Sequence, residues 1–329
     1  MKKNTAFSLV ELSVVILVIG ILIAGITQSG RLIRQIKLST ARSVTSSSDV
    51  NSIRDVTAWF EASSEGNFTN INDVTDVENN DVIKLWNDVN PQKPKSDRPK
   101  LTNDATNKQP KYTANGINGI PSLYFDGDST NPDHLFTTDI PTMPILSSDK
   151  TFSIFAVFRP DLGATKTKSI VTQIGNGTTL ANDYISIGFW GDNNNNGKPG
   201  LIGNSTKVNN WLRDVTVSEQ NDYIVGAIVD FSYDGNDSAK VKNQVALYVN
   251  SIDSVNTLVN GVDGFQSGIT PTDIVLANGK FVVGANAAGT VSDAFKGMIS
   301  EVIIFDRKLK DEEAKAVMGY LRKKYNINK

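Results

Sequence analysis

Two hydrophobic rhythms divide the chain. From Phe7 to Ile26 apolar residues follow one another with a single charge among them, Glu11, and Lys2 and Lys3 stand in front. At roughly 1.5 Å per residue this run makes about 30 Å of helix, the thickness of a bilayer's hydrocarbon core. Leu32, Ile33 and Ile36 then keep helical spacing while Arg31, Arg34 and Lys37 occupy other faces, so the helix is expected to continue as an amphipathic stalk. Val50, Ile53, Val56 and Phe60 also recur at three- and four-residue steps, which predicts a second or continued helical stretch docked on the globular part. The boundary is placed near residues 45–55.

From Trp59 onward the pattern changes to short runs of β-formers bounded by Gly, Asn, Asp and Pro. They are Ser122 to Phe125, Thr151 to Phe158, Ser169 to Ile174, Tyr184 to Phe189, Tyr223 to Phe231, Gln244 to Val249, Lys280 to Val283 and Gly297 to Phe305. Strands this short, with turn signals and almost no helix between them, predict an antiparallel sandwich or barrel. The period shifts once more near the end. Asp311, Glu312 and Glu313 open a segment with Ala314, Val317, Met318 and Leu321 on one face, and Arg322, Lys323 and Lys324 close it. Acids first and bases last suit a helix dipole, so a short C-terminal helix is expected.

An acid near one end of a membrane-length helix is costly in lipid and calls for a partner. A short basic leader, a small residue, Phe7, Ser8, two aliphatics and Glu11 ahead of an apolar helix resemble the processing and methylation segment of type IV pilins and type II secretion pseudopilins. The resemblance implies cleavage between Ala6 and Phe7 by a prepilin peptidase, N-methylation of Phe7, and an assembly role for Glu11 in pairing with the terminal amine of a neighbouring subunit. Ala6 stands where that family most often has Gly, and Gly20 and Gly25 stand in for the helix-loosening Pro of many pilins. A cleaved secretory signal, using the small-x-small Thr27-Gln28-Ser29, and a plain anchor are the alternatives, and both leave Glu11 unexplained.

A second resemblance covers the remainder. Val56 to Ala62, Val82 to Asp88, Gln109 to Tyr112, Leu123 to Gly127 and the closing Phe295 to Phe305 follow one another as in concanavalin A-like, laminin-G-type jelly-roll domains. This implies a two-sheet sandwich used for binding glycans or proteins at cell surfaces and, in some relatives, for glycan cleavage. The expected division is a basic leader over 1–6, a pilin-like helix over 7–50 with its membrane part at 7–26 and stalk at 27–50, and a sandwich over 51–329. The fold class is mainly β.

Composition narrows the chemistry. The chain has 33 basic and 35 acidic residues, and its formal charge of -2 gives no reason to expect nucleic acid. With no cysteine, disulfides, thiolate catalysis and lipoprotein acylation are excluded. The single histidine, His134, lies in a loop-like Asn131-Pro132-Asp133-His134 context without a nucleophile elbow. Paired acids for glycoside cleavage are not visible as a strand pattern, and Glu301, with Ile303 and Phe305 at two-residue steps, reads as a paired or edge carboxylate. Asp192-Asn193-Asn194-Asn195-Asn196-Gly197 matches the front half of an EF-type loop, but Gly203 stands where its Glu belongs. Asp192, Asn194 and Asn196 are therefore a low-affinity calcium candidate, and no other cofactor is expected. Asp126-Gly127-Asp128 and Asp234-Gly235-Asn236-Asp237 read as turns. Trp190 and Trp211, in polar surroundings, are candidates for stacking on a sugar, whereas Trp59 and Trp86 read as core.

The expectation is a non-enzymatic, pilin-like filament subunit, minor or at the tip, carrying a lectin-like adhesion domain. Its expected partners are other pilin or pseudopilin subunits, the prepilin peptidase, the inner membrane before assembly, and a glycan or surface-protein ligand. It would begin in the bacterial inner membrane with its N-terminus cytoplasmic and end in the periplasm or a surface filament. The alternatives are a type II secretion pseudopilin and a membrane-anchored glycan-active enzyme.

Overall fold

The computed structural model describes residues 9–64, 66–128, 130–137, 151–161, 168–174, 184–190, 198–203, 211–212, 221–230, 232, 245–253, 281–285 and 294–327. The first element is a helix, α1 (Leu9–Ser46). The early strands are β1 (Val56–Glu61), β2 (Phe68–Asn70), β3 (Ile83–Asn87), β4 (Lys100–Thr102), β5 (Lys111–Thr113), β6 (Ser122–Asp126) and β7 (Leu135–Thr137). The middle of the chain supplies β8 (Thr151–Pro160), β9 (Lys168–Ile174), β10 (Tyr184–Trp190), β11 (Lys198–Gly203) and β12 (Trp211–Leu212). Then come β13 (Tyr223–Asp230), β14 (Val245–Val249), β15 (Phe281–Val283), β16 (Lys296–Phe305) and a closing helix, α2 (Asp311–Tyr325).

All described strand pairs are antiparallel, and they form two sheets. The first runs β14-β13-β8-β16-β6-β5 with β1 added beside β16, and the second runs β12-β11-β10-β9-β15-β7-β4-β3-β2. This is the jelly-roll-type sandwich. Its main core fills the space between the sheets, with Phe60, Trp86, Phe125, Phe158, Phe189, Val302 and Ile304 among its members. A second core lies on the opposite face of the first sheet, where Trp59, Phe155, Ile303 and Phe305 meet Val317, Met318 and Leu321 of α2 and Ala41 of α1.

That third layer explains a departure from the sequence reading. The stretch holding Val56 and Phe60 is strand β1, not a helix, and its six residues are all buried. A strand covered on both faces reads as an unbroken apolar run instead of an alternation, so the helical spacing of Val56 and Phe60 is a coincidence. Val56 and Trp59 belong to the helix side and Ala58 and Phe60 to the inner core. Close packing of the two layers also needs Gly226 on β13, where a Cβ would stand 2.5 Å from the Phe155 ring and 3.3 Å from Met318 Sδ.

Helix α1 has two regimes. Residues 9–25 are all exposed, with Leu9 at 85% and Leu17 at 63% of full exposure. Among the described residues no helix is long and apolar enough to cross a membrane. The run of described side chains over 9–25 rises about 26 Å, against about 30 Å for a hydrocarbon core; residues 7 and 8 and the side chains of 26–28 lie outside it. From Lys37 the helix meets the sandwich. Lys37 Nζ donates to Asn118 O (3.3 Å), Arg42 Nε to Ser63 O (2.7 Å), and Ala41 and Thr45 are buried. Asn51 Nδ2 donates to Thr45 O and Ser46 O (3.1 and 2.9 Å), satisfying carbonyls left open by the helix end. A separate 3-10 turn comes next, over Asp49–Asn51.

Candidate functional site

The foot of α1 rests on a buried charged cluster built by strand register. On β1 and β16, Glu61 and Glu301 are direct partners, which places two carboxylates on the helix-covered face of the sheet. Like charges directly opposite one another repel, and both residues are fully buried. Lys324, one turn beyond Tyr320 on α2, inserts its Nζ between them at 2.8 Å from Glu61 Oε2 and 2.8 Å from Glu301 Oε2.

The remaining lone pairs are taken as well. Glu301 accepts from Trp59 Nε1 (2.7 Å), the Tyr320 hydroxyl (2.7 Å) and the Tyr325 hydroxyl (2.9 Å). Glu61 accepts from the Ser63 and Ser64 amides (2.8 Å each), the Ser63 hydroxyl and Asn67 Nδ2 (3.2 Å). Burial alone would push the Glu61 carboxyl up, but the Lys324 charge and these donors outweigh it and hold it down at about 2. Burial likewise disfavours the Lys324 cation, and the two carboxylates overcome that and raise its pKa. Tyr320 and Tyr325 are raised well above the ordinary phenol range, by burial first and then by the neighbouring carboxylates. The Tyr320 hydroxyl also lies 3.2 Å from Thr45 Oγ1, so a continuous chain of hydrogen bonds runs from α1 through α2 into β1 and β16.

Among the described residues, three clefts bear on the site. One of about 450 Å³ straddles the seam where β3 and β4 of the second sheet approach β5 and β6 of the first, lined by Lys84, Asp104, Gln109, Lys111, Tyr124, Asp126 and Asp133 among others. There the Asp126 amide donates to Asp133 Oδ2 (3.0 Å). Burial first, and then the Asp126 carboxylate, lifts the Asp133 carboxyl to about 7. A second cleft, of about 480 Å³, lies between the α1 foot at Leu38 and Arg42 and the segment Ala62–Phe68. A third, of about 340 Å³, is lined by Gly66, Asn67, Asn87, Asp88, Lys95, Arg98, Pro99 and Lys100.

The residues expected from sequence fall in several places. Glu11 lies on the exposed stretch of α1, while Ala6 and Phe7 are outside the described residues. Trp190 ends β10 and Trp211 opens β12, but their side chains fall outside the described set, as do Asp192, Asn194, Asn196 and the segment Asp234 to Asp237. Among the described residues no group of three metal-ligating side chains is present. Trp59 and Trp86 are buried. His134 is held by Pro132 O at 2.8 Å from Nδ1 and stacks on Phe136. Asp126-Gly127-Asp128 is a turn, with the Asp128 amide donating to Asp126 Oδ1 (3.0 Å). Glu301 is a paired carboxylate. Sequence reasoning missed its partner Glu61 and Lys324, which only strand register and the return of α2 over the sheet bring to Glu301.

Comparison with known proteins adds one firm finding at the N-terminus. Residues 1–27 match the prokaryotic N-terminal methylation motif family. No curated protein sequence matches the chain. Among solved structures, Domain 4 of AbnA, a GH43 extracellular arabinanase from Geobacillus stearothermophilus, is 17% identical with a TM-score of 0.44 and covers 73% of this chain and 100% of its own. The CBM40 of the Ruminococcus gnavus IT-sialidase is 19% identical, with a TM-score of 0.36 over 51% of this chain and 83% of that one. A Trypanosoma rangeli sialidase is 13% identical, with a TM-score of 0.42 over 82% of this chain and 33% of that one.

Proposed function

We propose that this chain is a pilin-like filament subunit, minor or at the tip, whose α1 assembles with other such helices while the sandwich serves as a binding head. The observation that carries the reading is the coincidence of the methylation motif over residues 1–27 with a helix whose apolar side chains stand exposed over 9–25. That surface requires either lipid or other helices to cover it. The helix is first held in the inner membrane, then moves into a filament core where neighbouring helices replace lipid. Glu11 meets the Phe7 amine of an adjacent copy, which fixes register and makes removal of both charges from water tolerable.

The buried joint fits this use. Force applied to α1 enters the sandwich through Arg42, Thr45, Tyr320 and Lys324, and reaches the paired strands β1 and β16 directly. A head of this size would crowd a helical array if every subunit carried one, which favours a minor or tip position. Binding without turnover is the head's proposed role: the strands carry no run of alternating acids of the kind that would set two carboxylates on either side of a glycosidic bond.

Mass spectrometry of the mature N-terminus tests the reading. A chain beginning at N-methylated Phe7 is expected. One beginning at Met1 or Gly30 would show a plain anchor or a secretory signal instead.

A further inference from the structure

The seam cleft combines apolar surface with charges of both signs. On β5 and β6, Lys111 and Tyr124 are direct partners, so their side chains leave the same face of the sheet, and Asp126, two residues along β6, leaves it too. Lys111 and Asp126 are exposed and Tyr124 is half-buried. The Tyr124 hydroxyl is engaged, donating to Asp161 Oδ2 (3.3 Å), which also holds Lys296 Nζ (3.0 Å). What Tyr124 has left to offer is its ring. Outside α1, the described large apolar side chains that stand exposed are Ile71, Val74 and Ile252, and Ile71, at 49%, lines this same cleft.

A second wall is the loop from β4 to β5, which brings Asp104, Thr106 and Asn107 to the cleft. Buried amides hold it in one conformation. Asn103, 2% exposed, donates from Nδ2 to Lys108 O (3.0 Å) and His134 O (2.8 Å), and its Oδ1 accepts from the Ala105 amide (2.9 Å). Gln109 Nε2 donates back to Asn103 O (3.2 Å), and a bridge between Val82 and Lys111 joins the two sheets at the seam. Walls fixed in advance need little ordering when a ligand enters, which lowers the cost of binding.

Charge and size narrow the ligand. The space of about 450 Å³ falls within the roughly 300–1,000 Å³ of small-ligand clefts. Lys84 already has a counter-ion in Asp73 (2.6 Å), and Asp133, lifted to about 7, is only about half charged at neutral pH. Lys111 then stands among Asp104 and Asp126, so an anion meets carboxylates and a cation meets an ammonium group. Hydroxyl groups, which both donate and accept, suit carboxylate and ammonium alike. The C–H faces of a sugar ring suit the Tyr124 ring and Ile71.

We propose that the seam cleft binds neutral sugar units of a glycan chain, their C–H faces against the Tyr124 ring and Ile71 and their hydroxyls shared among Lys111, Asp126, Asp104 and Asn107. The proposal rests on the reading of the sandwich as a binding head and gives that head a site and a ligand class.

The test is a titration of the full chain in detergent with cellotetraose, mannotetraose, galactotetraose and N-acetylchitotetraose, and with oligogalacturonate as an acidic counterpart. Saturable binding of at least one neutral probe is expected, with oligogalacturonate at least about tenfold weaker because its carboxylates approach Asp104 and Asp126. Thr106→Trp, which fills the cleft from an exposed loop position, and Tyr124→Ala should each weaken that binding by about tenfold or more, whereas Tyr124→Phe, which keeps the ring, should stay within about twofold. Arg98→Ala, in the third cleft, should leave it unchanged. Thermal unfolding of Thr106→Trp at the parent's temperature would show its head intact, so the test stands even where Tyr124→Ala fails to fold. Binding of none of the neutral probes, oligogalacturonate binding as tightly as they do, or full binding by Thr106→Trp would overturn the proposal. So would a loss in Tyr124→Phe or Arg98→Ala as large as that in Thr106→Trp. A chain that binds none of the neutral probes yet still enters filaments defeats this site while leaving the assembly reading intact; one that binds as expected but never assembles does the reverse.

Discussion

Carboxylates are buried in two places near β1, with opposite results. Glu61 and Glu301 share Lys324 and a set of hydroxyl, indole and amide donors, and Glu61 is held at about 2. Asp88 has the backbone amides of Asn90 and Trp59 but no cation bonded to it, and burial lifts its carboxyl to about 7. Burial acts on both in the same direction, so the difference lies in what surrounds them. Where the oxygens are saturated and a cation is inserted, the carboxylate becomes a structural tie between helix and sheet. Where backbone amides are the only bonded partners and the cations stay at a distance, the charged form costs stability.

The largest expected effect comes from making the first region resemble the second. Lys324→Met should leave two facing carboxylates without their cation and destabilise the sandwich by about 3–5 kcal/mol, read by denaturant unfolding. Adding Glu61→Gln and Glu301→Gln to it should recover part of that loss, because the repulsion disappears with the charges. Next, Asp88→Asn should make the second region resemble the first. The folded-state pKa of Asp88 is raised, so its destabilisation is absent below about pH 4 and grows as pH rises toward 7. The variant should therefore gain about 2–4 kcal/mol over the parent at pH 8 and nothing at pH 3.5.

Glu61 gives the opposite pH dependence. Its pKa is depressed, so its stabilisation is complete above about pH 4.5 and is lost as pH falls toward 2, a change of about 3 kcal/mol. Unfolding measured across that window should show the loss in the parent and not in Glu61→Gln. The smallest effect is Thr45→Val, which removes the hydroxyl contact between α1 and Tyr320. It should cost about 1 kcal/mol and speed amide exchange in residues 41–46 while leaving the strands protected.

Much of this organisation is legible in the sequence. The N-terminal helix and the strands at Thr151, Tyr223 and Gly297 announce themselves by long apolar runs, and α2 by its acids, bases and single apolar face. The strands β2, β4, β5 and β7 are three residues each, too short for any periodicity to show. β1 imitates a helix because a strand covered on both sides shows no alternation. The charged joint is hidden for a different reason: Glu61 and Glu301 become neighbours only through strand register, and Lys324 reaches them only because α2 folds back over the sheet. Each residue looks ordinary alone. Asp88 likewise gives no signal, since the burial that lifts its carboxyl is a property of packing and not of spacing.

The assembly role of α1 is tested most directly by Glu11→Gln, with filament incorporation measured alongside the fold of the head. The account predicts that the variant is cleaved before Phe7, that its sandwich unfolds at the same temperature as the parent's, and that it fails to enter filaments. A Glu11→Gln chain incorporated as fully as the parent would contradict it.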